Sequence, residues 1–204
     1  DQMSVHVPLS PEAVAEARLL MLASNNVLKP ADSRPVVTLT QDMVLGSFYL
    51  TLDRAGEKGE GNAYRNFDEA MMAYENKELD IHAPIKVRVE KVINGEKKSK
   101  IIDATLGRLI FNEVVPQDLG FIDRSVEENI FLPEITFLAD KKALGKIVDA
   151  CIKVHGTTKT AEVLDSIKEL GYKFSTKGAI TISVSDMEIP GSKAERLAKA
   201  EEEV

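Results

Sequence analysis

The sequence predicts an α+β fold of mixed helices and short strands in two small lobes, and three observations carry that prediction. Around residues 85–102, Ile85, Val87 and Val89 alternate with Lys86, Arg88 and Glu90, and Asn94-Gly95 follows as a type I′ turn pair. That pattern predicts an antiparallel hairpin. Over residues 140–171 the period lengthens. Leu144, Ile147, Val148, Cys151 and Ile152 make one helical stripe, and Val163, Leu164, Ile167 and Leu170 make another. Gly156 separates the stripes and Gly171 follows the second, which predicts a helical hairpin with a short connection. Finally, 204 residues with 44% hydrophobic and 29% charged side chains suffice for a buried core and lie outside disordered composition. The lobes are expected at residues 1–115 and 116–204.

Met3, Val5 and Val7 alternate with polar neighbours and predict a short strand over residues 3–7. Ser10 offers an N-cap, with Pro11 at the first helical position and Glu12 in the first turn, so a helix is expected to about Ala23. Leu19-Leu20-Met21-Leu22 makes it apolar nearly all round, which predicts burial. Asn25 and Asn26 can close it, since Asn tolerates the left-handed conformation. Val36-Val37 predicts another short strand, and Thr40 is placed to cap a largely apolar helix from Gln41 to about Leu52.

Gly56, Gly59 and Gly61 among charges predict a surface loop. Asn66 and Glu69 stand at capping-box spacing before a short helix ending near Lys77. The return strand of the hairpin is expected from about Lys98 to Ile102. A helix from Thr105 to Val115 then stops before Pro116. Residues 116–139 read as irregular, and Asp140 caps the first arm of the helical hairpin. Ile180, Ile182 and Val184 predict a last strand, and Ser192 with Glu195 a capped terminal helix.

Charge narrows the functional classes. Against 33 Asp and Glu stand 26 Lys and Arg, a formal net of −7. A free-standing nucleic-acid binder usually shows the opposite balance. The objection lapses if the chain is part of a larger body, and both ends predict that it is. The chain opens on Asp1 rather than Met, and its last helix runs into Glu201, Glu202 and Glu203. Carboxylates in a last turn oppose the helix dipole, so that helix is expected to continue in a longer parent. No apolar run approaches the roughly 18 residues of a membrane span, so no membrane partner is expected. The single cysteine and the lack of a basic-then-apolar leader predict a cytoplasmic location.

Local motifs carry little chemistry. His6, His82 and His155 stand alone, without the paired spacing of a metal site. Cys151 lies on an apolar stripe and reads as a core thiol, with His155 at the end of the same stripe. Gly56-Glu57-Lys58-Gly59-Glu60-Gly61 lacks the strand and helix start of a phosphate loop. Lys97, Lys98 and Lys100 read as a solvated hairpin tip. No carboxylate pair stands out as acid and base.

Longer motifs say more. Asp1-Gln2-Met3-Ser4-Val5-His6-Val7-Pro8-Leu9-Ser10 resembles the stretch after the active-site loop of the bacterial RNA polymerase β′ subunit. That family carries Asn-Ala-Asp-Phe-Asp-Gly-Asp followed by Gln-Met-Ala-Val-His-Val-Pro-Leu. The same family is matched in register by Glu16-Ala17-Arg18, Asn25-Asn26-Val27-Leu28 and Thr40-Gln41-Asp42-Met43-Val44-Leu45-Gly46. Lys58-Gly59-Glu60-Gly61, Thr105-Leu106-Gly107-Arg108 and Ser185-Asp186-Met187-Glu188-Ile189-Pro190 continue it. The resemblance spans essentially the whole chain. Ser4 replaces the usual Ala, and the first two loop aspartates precede residue 1.

The resemblance implies DNA-directed RNA synthesis, a nucleotidyltransferase reaction, by an intact enzyme of which this chain alone would be an inactive part. Asp1 would match the third metal-binding aspartate, making it catalytic and a Mg²⁺ ligand in the intact enzyme only; this chain by itself is expected to hold no cofactor tightly. Residues 1–115 would be a pore-type region and 116–204 the start of a funnel-type region, lining the secondary channel near the RNA 3′ end. Asn25, Asn26, Gln41 and Asp42 would lie near RNA or nucleotide, whereas their residue types alone fit helix capping and loop hydrogen bonds. Implied partners are the β, α, ω and sigma subunits, DNA template, RNA transcript, nucleoside triphosphates and secondary-channel factors. The alternative is a structural or interaction module at the channel rim, docking transcription factors with no catalytic part.

Overall fold

The computed structural model describes residues 2–93 and 95–203; the expectations placed on Asp1 and on the Asn94 half of the hairpin turn lie outside these. Among the described residues, six α-helices and a three-stranded sheet make the expected α+β fold. In the sheet, β1 (Ala63–Tyr64) runs parallel to β2 (Pro84–Ile93), and β2 pairs antiparallel with β3 (Glu96–Thr105). The hairpin register runs from Pro84↔Thr105 to Ile93↔Glu96, longer than the alternation alone marked out. Ile85 and Val87 point into the core while Lys86 and Arg88 face solvent, as a period of two requires.

The helices are α1 (Pro11–Glu16), α2 (Asp42–Thr51), α3 (Phe67–Glu75), α4 (Leu106–Val114), α5 (Lys141–Gly178) and α6 (Lys193–Glu203). Side-chain caps start four of them. Ser10, Asn66, Thr105 and Asp140 accept the N–H groups of Ala13, Glu69, Arg108 and Ala143. The Glu69 carboxylate takes the N–H of Arg65 rather than that of the cap residue itself.

Within α5, Gly156 leaves the helical conformation at φ 76° and ψ −178°. This break folds α5 back on itself, as two contacts show. Thr51, at the end of α2, accepts the Ala139 N–H at 2.8 Å, while Gly171 lies against Met43 at the start of α2. At about 1.5 Å per residue α2 covers roughly 12 Å between these points, whereas a straight helix from 139 to 171 would need about 48 Å. The helical hairpin is therefore present. Gly171 does not end it, however, and the second arm continues to Gly178. Its glycine serves close approach: a Cβ there would lie 2.6 Å from the Met43 carbonyl oxygen, and one on Gly46 would overlap the Gly171 carbonyl. Gly107 meets the Leu50 carbonyl in the same way.

One buried cluster unites α2, the sheet, α4 and both arms of α5, with Leu50, Ile85, Leu106, Phe111, Ile135, Ile147 and Ile167 at its centre. Its members come from both sides of the expected 115/116 boundary. Fully burying each such side chain contributes about 1.5–3 kcal/mol relative to exposure.

The ends depart from expectation. The α1 region widens into a π turn at Ala17–Met21, and Leu19, Leu20 and Met21 are 72%, 69% and 77% exposed rather than buried. Residues 3–7 and 180–184 form no strand, because a strand needs a hydrogen-bonded neighbour and neither segment has one among the described residues. Val36-Val37 reduces to a single bridge between Leu28 and Pro35. Thr40 does not cap α2; Gln41 takes the cap position at φ 48° with no side-chain cap bond.

Candidate functional site

Four of the five candidate residues fall within the described chain. Asn25 Nδ2 donates to the Arg18 carbonyl at 2.8 Å, and Asn26 Nδ2 to those of Leu20 and Leu22 at 2.9 and 3.0 Å. The two amides thus bind back to main-chain carbonyls at the end of the widened turn. Gln41 and Asp42, at the start of α2, are exposed and make no side-chain hydrogen bond among the described residues. No side-chain bond joins the asparagine pair to Gln41 or Asp42 there. Two pairs thus stand on neighbouring elements, one engaged and one open.

Among the described residues no three His, Cys, Asp or Glu side chains gather closely enough to hold an ion. Mg²⁺ prefers near-octahedral oxygen ligation, so the described residues do not by themselves fit it. A nucleophile is likewise missing from the obvious place. Burial pushes the Cys151 thiol up to about 11, with Asp118 adding to the effect, and this keeps it protonated in the core. His155 Nε2 meets Asp118 Oδ1 at 2.7 Å, closing the end of the same stripe.

The glycine loop holds an anion of its own. Gly56, Gly59 and Gly61 all adopt positive φ, and the Glu60 carboxylate accepts the Gly56 N–H at 2.6 Å. Lys58 Nζ donates to the Lys77 carbonyl, and Gly61 N–H to that of Pro84. These bonds staple the loop to α3 and β2 rather than opening it to a phosphate. Nearby, His82 is buried with Nδ1 3.2 Å from the Leu52 carbonyl, which makes Nδ1 the donor. The Tyr49 ring meets His82 edge-on at 4.4 Å. Burial, then Tyr74 and Asp80, hold the Tyr49 hydroxyl above its usual range.

Sequence reading missed the strongest polar feature. In the irregular segment, Glu134 is fully buried; its Oε2 accepts from Arg124 at 2.9 Å and its Oε1 from the Phe121 N–H at 2.5 Å. The same Arg124 donates to the carbonyls of Asn129, Ile130 and Leu132. Gln117 accepts the Glu134 N–H and donates to Asn112, whose amide pairs both ways with Ile135. Lys91 on β2 adds a bond to the Ile130 carbonyl, and desolvation, with Arg124 beside it, depresses its ammonium. A carboxylate inside the run Leu132-Pro133-Glu134-Ile135 was the available signal. The arrangement is a scaffold of mutually satisfied polar groups.

Comparison with known proteins places this scaffold. The family described as RNA polymerase Rpb1, domain 3 matches residues 26–187. The chain is 62% identical over all 204 residues to the DNA-directed RNA polymerase subunit beta' of Acetivibrio thermocellus, of which it covers 18%. It is 61% identical over 204 residues to that of Caldicellulosiruptor saccharolyticus, again 18% of the relative. To that of Clostridium acetobutylicum it is 60% identical over 201 residues, 98% of this chain and 17% of the relative. The chain thus spans less than a fifth of the length of the curated relatives it matches.

Proposed function

The chain belongs to the RNA polymerase Rpb1 domain 3 family, and from that premise we propose that it works inside a bacterial RNA polymerase β′ subunit as the scaffold beside the catalytic loop. The observation that carries this is identity of about 60% sustained over the whole chain. The reaction is template-directed nucleotidyl transfer in the cytoplasm. Its partners are the β, α, ω and sigma subunits, DNA, RNA, nucleoside triphosphates and factors entering the secondary channel.

On this reading residues 1–115 belong to the pore and residues 116–204 begin the funnel. Asp1 is one of three aspartates that hold Mg²⁺, the other two standing upstream of residue 1. The ion would supply charge neutralisation for the phosphoryl group in flight. This chain's own contribution is stiffness. α2, pinned through Thr51 to Ala139 and through Gly46 to α5, gives the region downstream of the catalytic loop a core that cannot slide. Gln41 and Asp42, open to solvent, suit contact with RNA or nucleotide better than Asn25 and Asn26, whose amides are engaged. The exposed apolar side chains of residues 3–9 and 19–22 support life within a longer subunit, since soluble surfaces seldom leave such runs uncovered.

The experiment is Asp1→Ala in the full-length subunit, assembled with its partners. Elongation is expected to fall by orders of magnitude, because loss of a metal ligand removes several kcal/mol of transition-state stabilisation (order of magnitude). Assembly should be unchanged. Normal elongation would favour the rim-docking module instead.

A further inference from the structure

The outer edge of β2 is largely uncovered among the described residues. β1 covers β2 only at Lys86 and Val87, and Lys86 donates its N–H to the Asn62 carbonyl at 2.9 Å. Even-numbered residues of β2 therefore turn their main-chain groups toward β1, and odd-numbered ones toward β3. β1 stops at Tyr64 because the chain turns into α3, with the Arg65 N–H diverted to Glu69. Beyond that point the carbonyl of Arg88 and the N–H and carbonyl groups of Glu90 and Val92 face outward. None has a backbone partner among the described residues. The far edge, on β3, carries Lys97, Lys98 and Lys100, the charge pattern that discourages strand pairing. The uncovered part of β2 carries Arg88, Glu90 and Lys91 instead, charges of both signs alternating with Val89 and Val92.

Beside it lies a cavity of about 430 Å³, lined by Arg65, Phe67, Val87, Val89, Glu90 and Leu109 among others. Phe67, Val89 and Leu109 offer apolar surface. Arg65 and Arg88 are exposed and have no ion-pair partner among the described residues.

We propose that this edge is a β-augmentation site for an extended segment of a partner protein, apolar at alternate positions and flanked by carboxylates. The segment joins β2 as a strand in line with β1. Outward main-chain groups at strand spacing are satisfied by another extended chain and not by a helix. The apolar cavity receives one side chain of that strand, and the unpaired guanidinium groups select acidic flanks. The proposal stands independently of the polymerase reading.

The probe is a labelled peptide, acetyl-Glu-Val-Thr-Val-Thr-Val-Glu-amide, titrated into the 204-residue chain. Saturable binding is expected, with amide exchange at Glu90 and Val92 slowed at least about tenfold. Glu90→Pro deletes one outward N–H without touching the β2–β3 ladder. It should weaken binding at least about tenfold while leaving the circular dichroism unchanged. Arg88→Glu should weaken this peptide and spare one carrying Gln at both ends; this second variant serves if Glu90→Pro perturbs the fold. Binding that leaves the Glu90 and Val92 amides unprotected, or that Glu90→Pro does not weaken in a folded chain, overturns the proposal. So does protection that rises with chain concentration alone, which assigns the edge to a second copy. Protection in the full-length subunit with the peptide excluded assigns it to the subunit's own chain and also overturns it.

Discussion

Two segments of this molecule carry nearly the same apolar signal and meet opposite fates. On the first arm of α5, which packs with α2 and α4, Leu144, Ile147, Val148 and Cys151 are buried in the core. On the widened helix after α1, Leu19, Leu20 and Met21 stand in solvent. The first run is a 3–4 stripe and the second a contiguous apolar stretch, and both call for burial. What separates them is a partner: α5 is held by α2 through glycine-to-backbone contact, whereas no element among the described residues covers residues 19–21. Apolar periodicity states that a face needs cover. It does not say which chain supplies the cover.

The contrast can be broken hardest at the buried ion pair. Arg124→Ala would strand the buried Glu134 carboxylate and remove a donor from the Asn129, Ile130 and Leu132 carbonyls, and unfolding stability should fall by about 3–5 kcal/mol. Urea denaturation of the variant measures this. A loss below about 1 kcal/mol would mean that the 116–139 segment is held by apolar packing instead.

Next comes the direct comparison of the two helices. Ile147→Ala should cost about 2–5 kcal/mol, as a fully buried truncation does. Leu20→Ala should stay within about 0.5 kcal/mol in this chain, since the side chain is largely exposed. In the full-length subunit the cost of Leu20→Ala should grow. An equal, small effect in both settings would show that residues 19–21 remain uncovered there too.

Gly46→Ala tests the crossing that holds α2 to α5. The added Cβ meets backbone rather than a flexible side chain, so the helices must separate, at about 1–3 kcal/mol. Hydrogen exchange should accelerate on both helices together.

The smallest effect is a pH slope. Cys151 keeps its proton up to about 11 when folded, against an ordinary value of 9.0. Between those values the unfolded chain has lost the proton and the folded chain still binds it, so stability should fall as pH rises through this window. Tyr49, also held up, adds to the fall at the alkaline end. Cys151→Ala should flatten the lower part of that slope, which denaturation midpoints from pH 8 to 11 would reveal. An unchanged slope would assign the alkaline loss to Tyr49 and other groups.

By itself the sequence determined much of the local architecture. The β2–β3 alternation, the caps at Ser10, Asn66 and Asp140 and the break at Gly156 are written in neighbouring residues. Each depends on interactions that reach only a few positions along the chain. The family was legible too, in motifs running from residue 1 to residue 190. Tertiary structure alone decided what depends on distant partners. Gly171 reads as a helix stop, yet it continues the helix because Met43 needs room for its carbonyl. Glu134 reads as a loop carboxylate, yet it organises the core because Arg124, Gln117 and Phe121 converge on it. Asn25 and Asn26 read equally as caps or RNA contacts, and only the π turn showed which carbonyls their amides serve. Residues 3–7 and 180–184 have strand pattern without strand structure, because a strand's hydrogen bonds belong to its neighbour as much as to itself.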